Sequence, residues 1–325
     1  MSFDLTYPAA CCDWVFDFLK NTSYAFNIVS NKSDRKLLDK ILEGCADMGD
    51  ITIIHAGGIA TGKNKKGMIE DYKKSEKHKP MLEGKDIKPF YPIFSERYIL
   101  YEKKLLYRAR EESIFLSPEK LITQRISGGL KPLVTSYDNE KYYTFNSTNT
   151  ILSKDDEYSL KYILALLNSR LINWYYVSKF TNKSNLTVNI SKTFLEKIPI
   201  KKISPEQQKP FIEKSDFMIA KNKEFYKVKK KFIKLIKYKY NLDKISRKLD
   251  TFYKLNFKEF ISEIKNKNKV MSIEKEAELM DFFEKNKKEV LELVNEISKT
   301  EREIDYAIYK LYGITDNEKE IIEKS

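Results

Sequence analysis

Short apolar runs give way to a long helical pattern at residues 204–239, SPEQQKPFIEKSDFMIAKNKEFYKVKKKFIKLIKYK. Ser204 is a helix N-cap residue, Pro205 suits the first helical position, and Gln207 completes a capping box three residues after the cap. The apolar residues that follow recur every seven positions, at Phe211, Met218, Phe225 and Phe232. This segment therefore predicts one long helix that begins beside Ser204 and buries a single stripe.

A second seven-residue repeat lies nearer the carboxyl end of the chain, at Phe283, Val290, Ile297, Ile304 and Leu311. Gly313 is expected to end this second helix, and Thr315 with Glu318 forms a capping box for a short final helix. Two long helices with matching repeats pack as an antiparallel hairpin or bundle. Residues 204–325 are therefore predicted to be an all-α spacer or coiled-coil domain.

Upstream of Ser204 the sequence has short β-like runs separated by turn signals. These runs are residues 51–54, 98–101, 121–126, 133–137, 142–145 and 150–152. Residues 160–179 are interpreted as a single apolar helix, and residues 33–46 as a helix that ends near Gly44. The predicted fold class is α+β, with a mixed short-strand domain at 46–203 followed by the helical domain, and with residues 1–45 as a separate junction.

The basic excess is concentrated in the middle of the chain. The 325 residues include 60 Lys and Arg against 47 Asp and Glu, for a net charge of +13. Residues 51–250 carry a net +19, whereas residues 1–50 and 251–325 each carry −3. A localised basic block indicates an acidic partner, most often nucleic acid. The alternative is a Lys-rich codon bias with solvated lysines, which does not readily explain the acidic ends.

Several protein classes are disfavoured by composition. No stretch approaches the roughly 18 apolar residues of a membrane span, and the first residues carry acids where a signal peptide needs basic residues. Three cysteines make no disulfide framework, and two histidines, His55 and His78, make no His-rich metal site. A reduced, cytoplasmic protein without a metal site is therefore expected.

No catalytic constellation is evident. Residues 57–64, GGIATGKN, nearly match a nucleotide-binding phosphate loop, but Asn64 stands where that motif needs Ser or Thr. The paired carboxylates of a nuclease are not found, and an amino-group methyltransferase tetrapeptide cannot exist because the chain has no Pro-Pro. We therefore predict no catalytic residue and no cofactor in this chain.

Two basic features are candidate DNA contacts. One is the glycine-rich loop that carries Lys63, and the other is residues 227–239, with seven lysines in thirteen positions. Lysines of that helix are predicted to lie opposite Phe232, Ile233 and Ile236 and to hold phosphates. A merely exposed turn and a solvated helix face are the alternatives. The full set of predicted DNA-binding residues is Thr61, Lys63, Asn64, Lys65, Lys66, Lys85, Arg108, Arg110, Arg125, Lys131, Lys227, Lys230, Lys234 and Lys237.

An ordered series of motifs carries a family resemblance. The series is GIATGKN at 58–64, LEGKDI at 82–87, YILY at 98–101, KLITQR at 120–125, LALLNS at 164–169, IPI at 198–200 and LNFKEF at 255–260, and it ends with residues 303–315. This order resembles the C-terminal specificity region of TaqI-like and type IIG restriction–modification adenine methyltransferases. The resemblance covers about residues 25–325.

The resemblance implies a target-recognition domain at 46–203 with a helical spacer. In that family a methyltransferase domain transfers a methyl group from S-adenosylmethionine to adenine N6, and this sequence lacks such a domain. The implied partners are double-stranded DNA and a methyltransferase domain or subunit, in cis or in trans, that docks on residues 1–45 and holds the cofactor. Self-association through the long helices is a further expectation.

Two other classes stay open at this point. One is a stand-alone specificity subunit resembling those of type I systems, in which long helices mediate assembly. The other is a helical scaffolding protein that binds no DNA.

Overall fold

The computed structural model describes residues 32–63, 67–154, 156–181, 188–264 and 272–324. Three predicted DNA contacts, Asn64, Lys65 and Lys66, lie outside the described residues. Most of the predicted junction, residues 1–31, also lies outside them.

Strands are short and confined to the part of the chain before residue 204. Within the described ranges they are β1 Cys45–Asp47, β2 Thr52–Ala56, β3 Ile69–Glu70, β4 His78–Leu82, β5 Tyr98–Leu100, β6 Lys120–Gln124, β7 Ile126–Ser127, β8 Thr135–Asp138, β9 Tyr143–Thr144, β10 Thr148–Ser153, β11 Val188–Asn189 and β12 Pro199–Lys201. A main sheet has the order β2-β10-β6-β8, and a smaller one the order β3-β5-β4-β9. Strands β1 and β12 pair, as do β7 and β11.

Helices flank the strands and make up the remainder. They are α1 Lys32–Leu42, α2 Met48–Ile51, α3 Glu112–Leu116, α4 Leu160–Asn168, α5 Arg170–Phe180, α6 Lys192–Leu195, α7 Pro205–Lys239, α8 Arg247–Asp250, α9 Phe257–Ile264, α10 Ile273–Leu311 and α11 Asp316–Lys324. The α+β class and its order along the chain, with strands first and long helices after, are as predicted.

The main sheet is antiparallel throughout and packs on α4. Every residue of α4 except Lys161 is buried, as expected of a helix that is apolar on all sides. At its end the Asn168 amide donates to the backbone oxygen of Thr135, over 3.0 Å. The helix is thereby fixed to the neighbouring edge strand β8. Trp174, Tyr175 and Tyr176 on α5 are also buried.

The predicted single helix over 160–179 is wrong, because it is interrupted at Ser169. This residue is extended, with φ −75° and ψ 154°, and its Oγ accepts a hydrogen bond from the Ile172 amide. Ser169 therefore ends α4 and caps α5, although the apolar pattern continues through it. The predicted buried strand over 51–54 is also only partly correct. Ile51 ends α2, the strand begins at Thr52, and Ile53 is 45% exposed.

The smaller sheet encloses its own aromatic core. The rings of Phe115 and Tyr143 stack with centroids 4.8 Å apart, and Tyr101 packs edge-on against Tyr143 at 5.1 Å. Because β9 belongs to this sheet and β10 follows it closely in the chain, the two sheets meet at residues 143–148. The same segment borders the candidate site described below.

Helices α7 and α10 form the predicted antiparallel pair. Lys214 pairs with Glu303 at 2.5 Å and Lys221 with Glu296 at 2.7 Å, so residue numbers rise on one helix as they fall on the other. Ser204 and Gln207 form the predicted capping box at the start of α7. Phe232, Phe252, Phe260 and Phe283 are buried together in the core of this arm, with α8 and α9 packed at its end.

The two ends of the described chain meet on the same body. Helices α1 and α11 both contact α5, and Lys40 pairs with Glu318 at 2.6 Å. Thr315 and Glu318 form the predicted final capping box. None of the helices in the described ranges is long and apolar enough to cross a membrane.

Candidate nucleic-acid interface

The glycine pair after β2 allows the chain to turn closely along the segment that follows β9. Gly57 has φ +68°, a conformation that other residues rarely adopt. A Cβ atom on Gly58 would lie 1.9 Å from the carbonyl oxygen of Thr144, so only glycine fits there. Ile59 then donates to the same oxygen at 2.8 Å, and Ala60 exchanges two 3.0 Å backbone hydrogen bonds with Arg108.

All three predicted arginines converge at this turn. A Cβ atom on Gly57 would lie 3.0 Å from Nη1 of Arg108 and 3.4 Å from Nη1 of Arg125. The Arg125 Nη1 also donates to the backbone oxygen of Asn146 at 3.1 Å. Arg110 faces the backbone instead: its Nε donates to the Gly57 oxygen at 3.0 Å and its Nη2 to the oxygen of Ala56. We call Arg108, Arg110 and Arg125 the arginine cluster.

No carboxylate of the described residues forms an ion pair with the arginine cluster. Burial and the charge of Arg108 lower the pKa of Arg110. Burial, together with the charges of Arg110 and Lys192, lowers the pKa of His55 on the adjoining strand. The turn is therefore a site of uncompensated positive charge, which favours a bound anion.

The glycine-rich loop that follows is not built as a phosphate loop. Thr61 is buried at 5% exposure, whereas Lys63 is exposed. Gly62 has φ +63° and packs against Tyr107. The next described element is strand β3, and a phosphate loop requires a helix at that point. The interpretation that this motif does not bind a nucleotide agrees with that geometry.

Lys85 and Lys131 each lie near a carboxylate. Lys85 is exposed, and its Nζ lies 3.6 Å from Glu83. Its neighbours Glu83 and Asp86 hold Arg97 in ion pairs of 2.9 and 2.8 Å, so the hexapeptide at 82–87 has a structural role as well. Lys131 lies 3.7 Å from Asp305 on α10 and links the loop before β8 to the helical arm.

The lysines of α7 do not form one free face. Lys230 pairs with Glu96 at 2.7 Å and lines a cleft of about 340 Å³ together with Lys234, Lys237 and the apolar Ile233. Ile233 therefore lies on the lysine side of the helix and not opposite it as predicted, because positions 230, 233, 234 and 237 share one face at helical spacing. Lys227, Lys234 and Lys237 are exposed, and no ion pair involves them within the described part of the chain.

Two exposed apolar side chains adjoin the cluster in sequence and were not predicted. Tyr107 precedes Arg108 and is 80% exposed, and Ile126 follows Arg125 and is 67% exposed. The one signal available for Tyr107 was its place beside alternating basic residues, since residues 107–110 are Tyr-Arg-Ala-Arg. Ile126 gave none, since it ends the β-like run at 121–126 and its exposure depends on the pairing of β7 with β11.

Two families match parts of this chain. Residues 79–200 match the TaqI-like C-terminal specificity domain, and residues 204–308 match a domain of unknown function, DUF8810. A protein of Methanocaldococcus jannaschii, named a type II restriction enzyme and methyltransferase, is 28% identical over 155 residues. That alignment covers 44% of this chain and only 12% of the relative.

Solved structures show weaker likeness. The HsdS subunit from Thermoanaerobacter tengcongensis has a TM-score of 0.35 and 13% identity, over 64% of this chain and 47% of that one. The type IIL restriction–modification enzyme MmeI, solved in complex with DNA, has a TM-score of 0.43 and 9% identity, over 81% and 33%. Both TM-scores are below 0.5, so neither places a residue of this chain. The sequence match is the stronger finding: residues 79–200 match the TaqI-like C-terminal specificity domain, the family that the motif series predicted.

Proposed function

We propose that this chain is the sequence-specific, double-stranded DNA recognition module of a restriction–modification adenine methyltransferase or endonuclease. One observation carries the proposal: Arg108, Arg110 and Arg125, which lie inside the TaqI-like specificity domain, converge without a carboxylate partner among the described residues. Guanidinium groups bind phosphates and guanine edges bidentately, so an uncompensated cluster suits DNA.

The chain is proposed to divide recognition from chemistry. The domain at 46–203 contacts bases, and the exposed lysines of α7 hold the phosphate backbone. A methyltransferase domain or subunit, in cis or in trans, binds S-adenosylmethionine and extrudes the target adenine from the stack. Support for a separate catalytic part comes from the Methanocaldococcus relative, whose name includes a methyltransferase and of which this chain matches 12%.

Selection of bound duplexes from a random library tests the proposal. We expect a defined sequence to be enriched, and we expect the affinity for that sequence to fall steeply with salt because phosphate contacts release counterions. Lys63→Ala should relax the sequence preference, since this exposed residue lies in the loop that begins at Gly57, beside the arginine cluster. A folded chain that enriches no sequence, or whose affinity barely changes between low and moderate salt, would overturn the proposal.

Size-exclusion chromatography distinguishes a separate methyltransferase subunit from a methyltransferase domain in the same polypeptide. A methyltransferase subunit that co-elutes with this chain supports assembly in trans. Sequence-specific DNA binding without co-elution supports a methyltransferase domain in the same polypeptide.

A further inference from the structure

The arginine cluster contains two geometrically different kinds of guanidinium. Arg110 donates hydrogen bonds to the carbonyl oxygens of Ala56 and Gly57, at the end of β2. Arg108 and Arg125 place their Nη1 atoms beside Gly57, where a Cβ atom would lie 3.0 and 3.4 Å from them and 3.5 Å from the backbone oxygen of Asn146. Each Nη1 lies within 3.4 Å of a single point, so the two nitrogens are no farther apart than the sum of the two distances, 6.4 Å.

This upper limit is compatible with one oxyanion bound between the two nitrogens. A charge-assisted N–H···O bond spans about 2.7–2.9 Å, so two oxygens of one phosphate bridge two nitrogens at this distance. Two guanidinium charges this close repel each other, and an anion between them removes the repulsion, whereas a neutral guanine leaves it largely in place. The buried Nε of Arg125 has no hydrogen-bond partner within the described chain, so the hydrogen-bonding capacity of this side chain is not fully used by the protein.

We infer that the guanidinium groups of Arg108 and Arg125, which flank Gly57, form a phosphate pocket that binds one phosphodiester of the DNA backbone. Arg110 is a positioning residue, which holds the carbonyls of Ala56 and Gly57 so that the turn presents the pocket. The inference rests on the proposed function and adds to it that these arginines set the register of the duplex and do not read its sequence.

Arginine variants test the pocket in the full chain. Arg108→Ala and Arg125→Ala should each weaken duplex binding about ten-fold for every sequence and lower the salt slope by about one. The double variant should lose little more than either single variant, because both donors hold the same anion. Arg302→Ala is the control. Arg302 is exposed on α10, so this variant loses the same charge and should bind duplex like the wild type. Thermal unfolding of each variant shows that it is folded.

Neutralised DNA locates the contact. A scan of the selected duplex with single methylphosphonates should find one position whose loss of charge weakens the wild type but not the double variant. If the variants instead lose preference for a guanine, the arginines read a base and the inference is wrong. The same holds if both variants bind duplex like Arg302→Ala.

Binding of inorganic phosphate tests the pocket without DNA. It should raise the unfolding temperature of the wild type above that in chloride of equal ionic strength, and the double variant should lose this difference. Absence of the difference in the wild type would overturn the pocket. Phosphate stabilisation without any duplex binding would overturn its assignment to DNA and, separately, the proposed function.

Discussion

Gly58→Ala should both destabilise the recognition domain and disturb the arginine cluster. The added Cβ would lie 1.9 Å from the Thr144 oxygen and 2.5 Å from its carbonyl carbon. These are backbone atoms, so no rotamer change relieves the clash. Moving the oxygen out to the 3.4 Å of ordinary contact requires a shift of about 1.5 Å.

Such a shift breaks the hydrogen bonds from Gly58 to Phe145, at 3.2 Å, and from Ile59 to Thr144, at 2.8 Å. Two backbone hydrogen bonds are worth about 2 kcal/mol, and the remaining strain adds about 1–3 kcal/mol. We therefore expect the free energy of unfolding in urea to fall by about 3–5 kcal/mol. Duplex affinity should fall as well, because Gly57 moves relative to Arg108 and Arg125.

Gly313→Ala is the matched control. Gly313 has φ +66° at the end of α10, and a Cβ atom there would meet nothing within 4 Å. Only the left-handed backbone is strained, at about 1–2 kcal/mol, and DNA binding should not change. Equal losses of stability in the two variants would refute the packing argument, and unchanged duplex binding by Gly58→Ala would refute the link to the cluster.

Three further results are expected. Lys120→Ala should cost about 3–5 kcal/mol in urea unfolding, because it leaves the fully buried Asp138 carboxylate, now 2.6 Å from Lys120 Nζ, without its cation; a cost below about 1 kcal/mol would contradict this reasoning. Burial and nearby cations lower the pKa of His55 below its ordinary 6.5, so the unfolded state binds the proton first and stability should fall as pH drops below 6.5; His55→Gln should reduce this dependence, and an unchanged pH profile would contradict it. Lys234→Ala should weaken binding to all duplexes alike and lower the salt slope by about one, whereas Lys230→Ala, whose charge is already paired, should do so less; the reverse order would indicate that the pair opens on DNA.

The long-range organisation of the chain was predictable because its signals are local and repeated. Ser204 with Gln207 marks the start of α7, and a seven-residue apolar repeat identifies a helix whatever it packs against. The motif series likewise identified the specificity family before any contact was known. The break at Ser169 was missed because a lone serine in an apolar run is compatible with a continuous helix, and tertiary contacts decide whether it caps a new one.

The candidate site was likewise predictable only in part. The basic character of residues 51–250 and each arginine of the cluster were evident from the sequence. Their convergence was not, since residues 57, 108 and 125 come from separate segments and meet only because β2, the Ala60–Arg108 pairing and the Arg125–Ser147 backbone bond bring them together. In α7 the tertiary structure instead neutralises a predicted DNA contact. Lys230 pairs with Glu96, although the sequence gave no sign that this lysine has a partner.

Sequence by itself determined the α+β class, the helical arm and the likeness of residues 79–200 to the TaqI-like specificity domain, because hydrophobic period, capping residues and ordered motifs are properties of the chain. Only the tertiary structure decided which charges remain unpaired and where they meet. The physical reason is that neighbours in space determine whether a charge is neutralised. Only folding brings Glu96 to Lys230, and only folding brings Arg108 and Arg125 together beside Gly57.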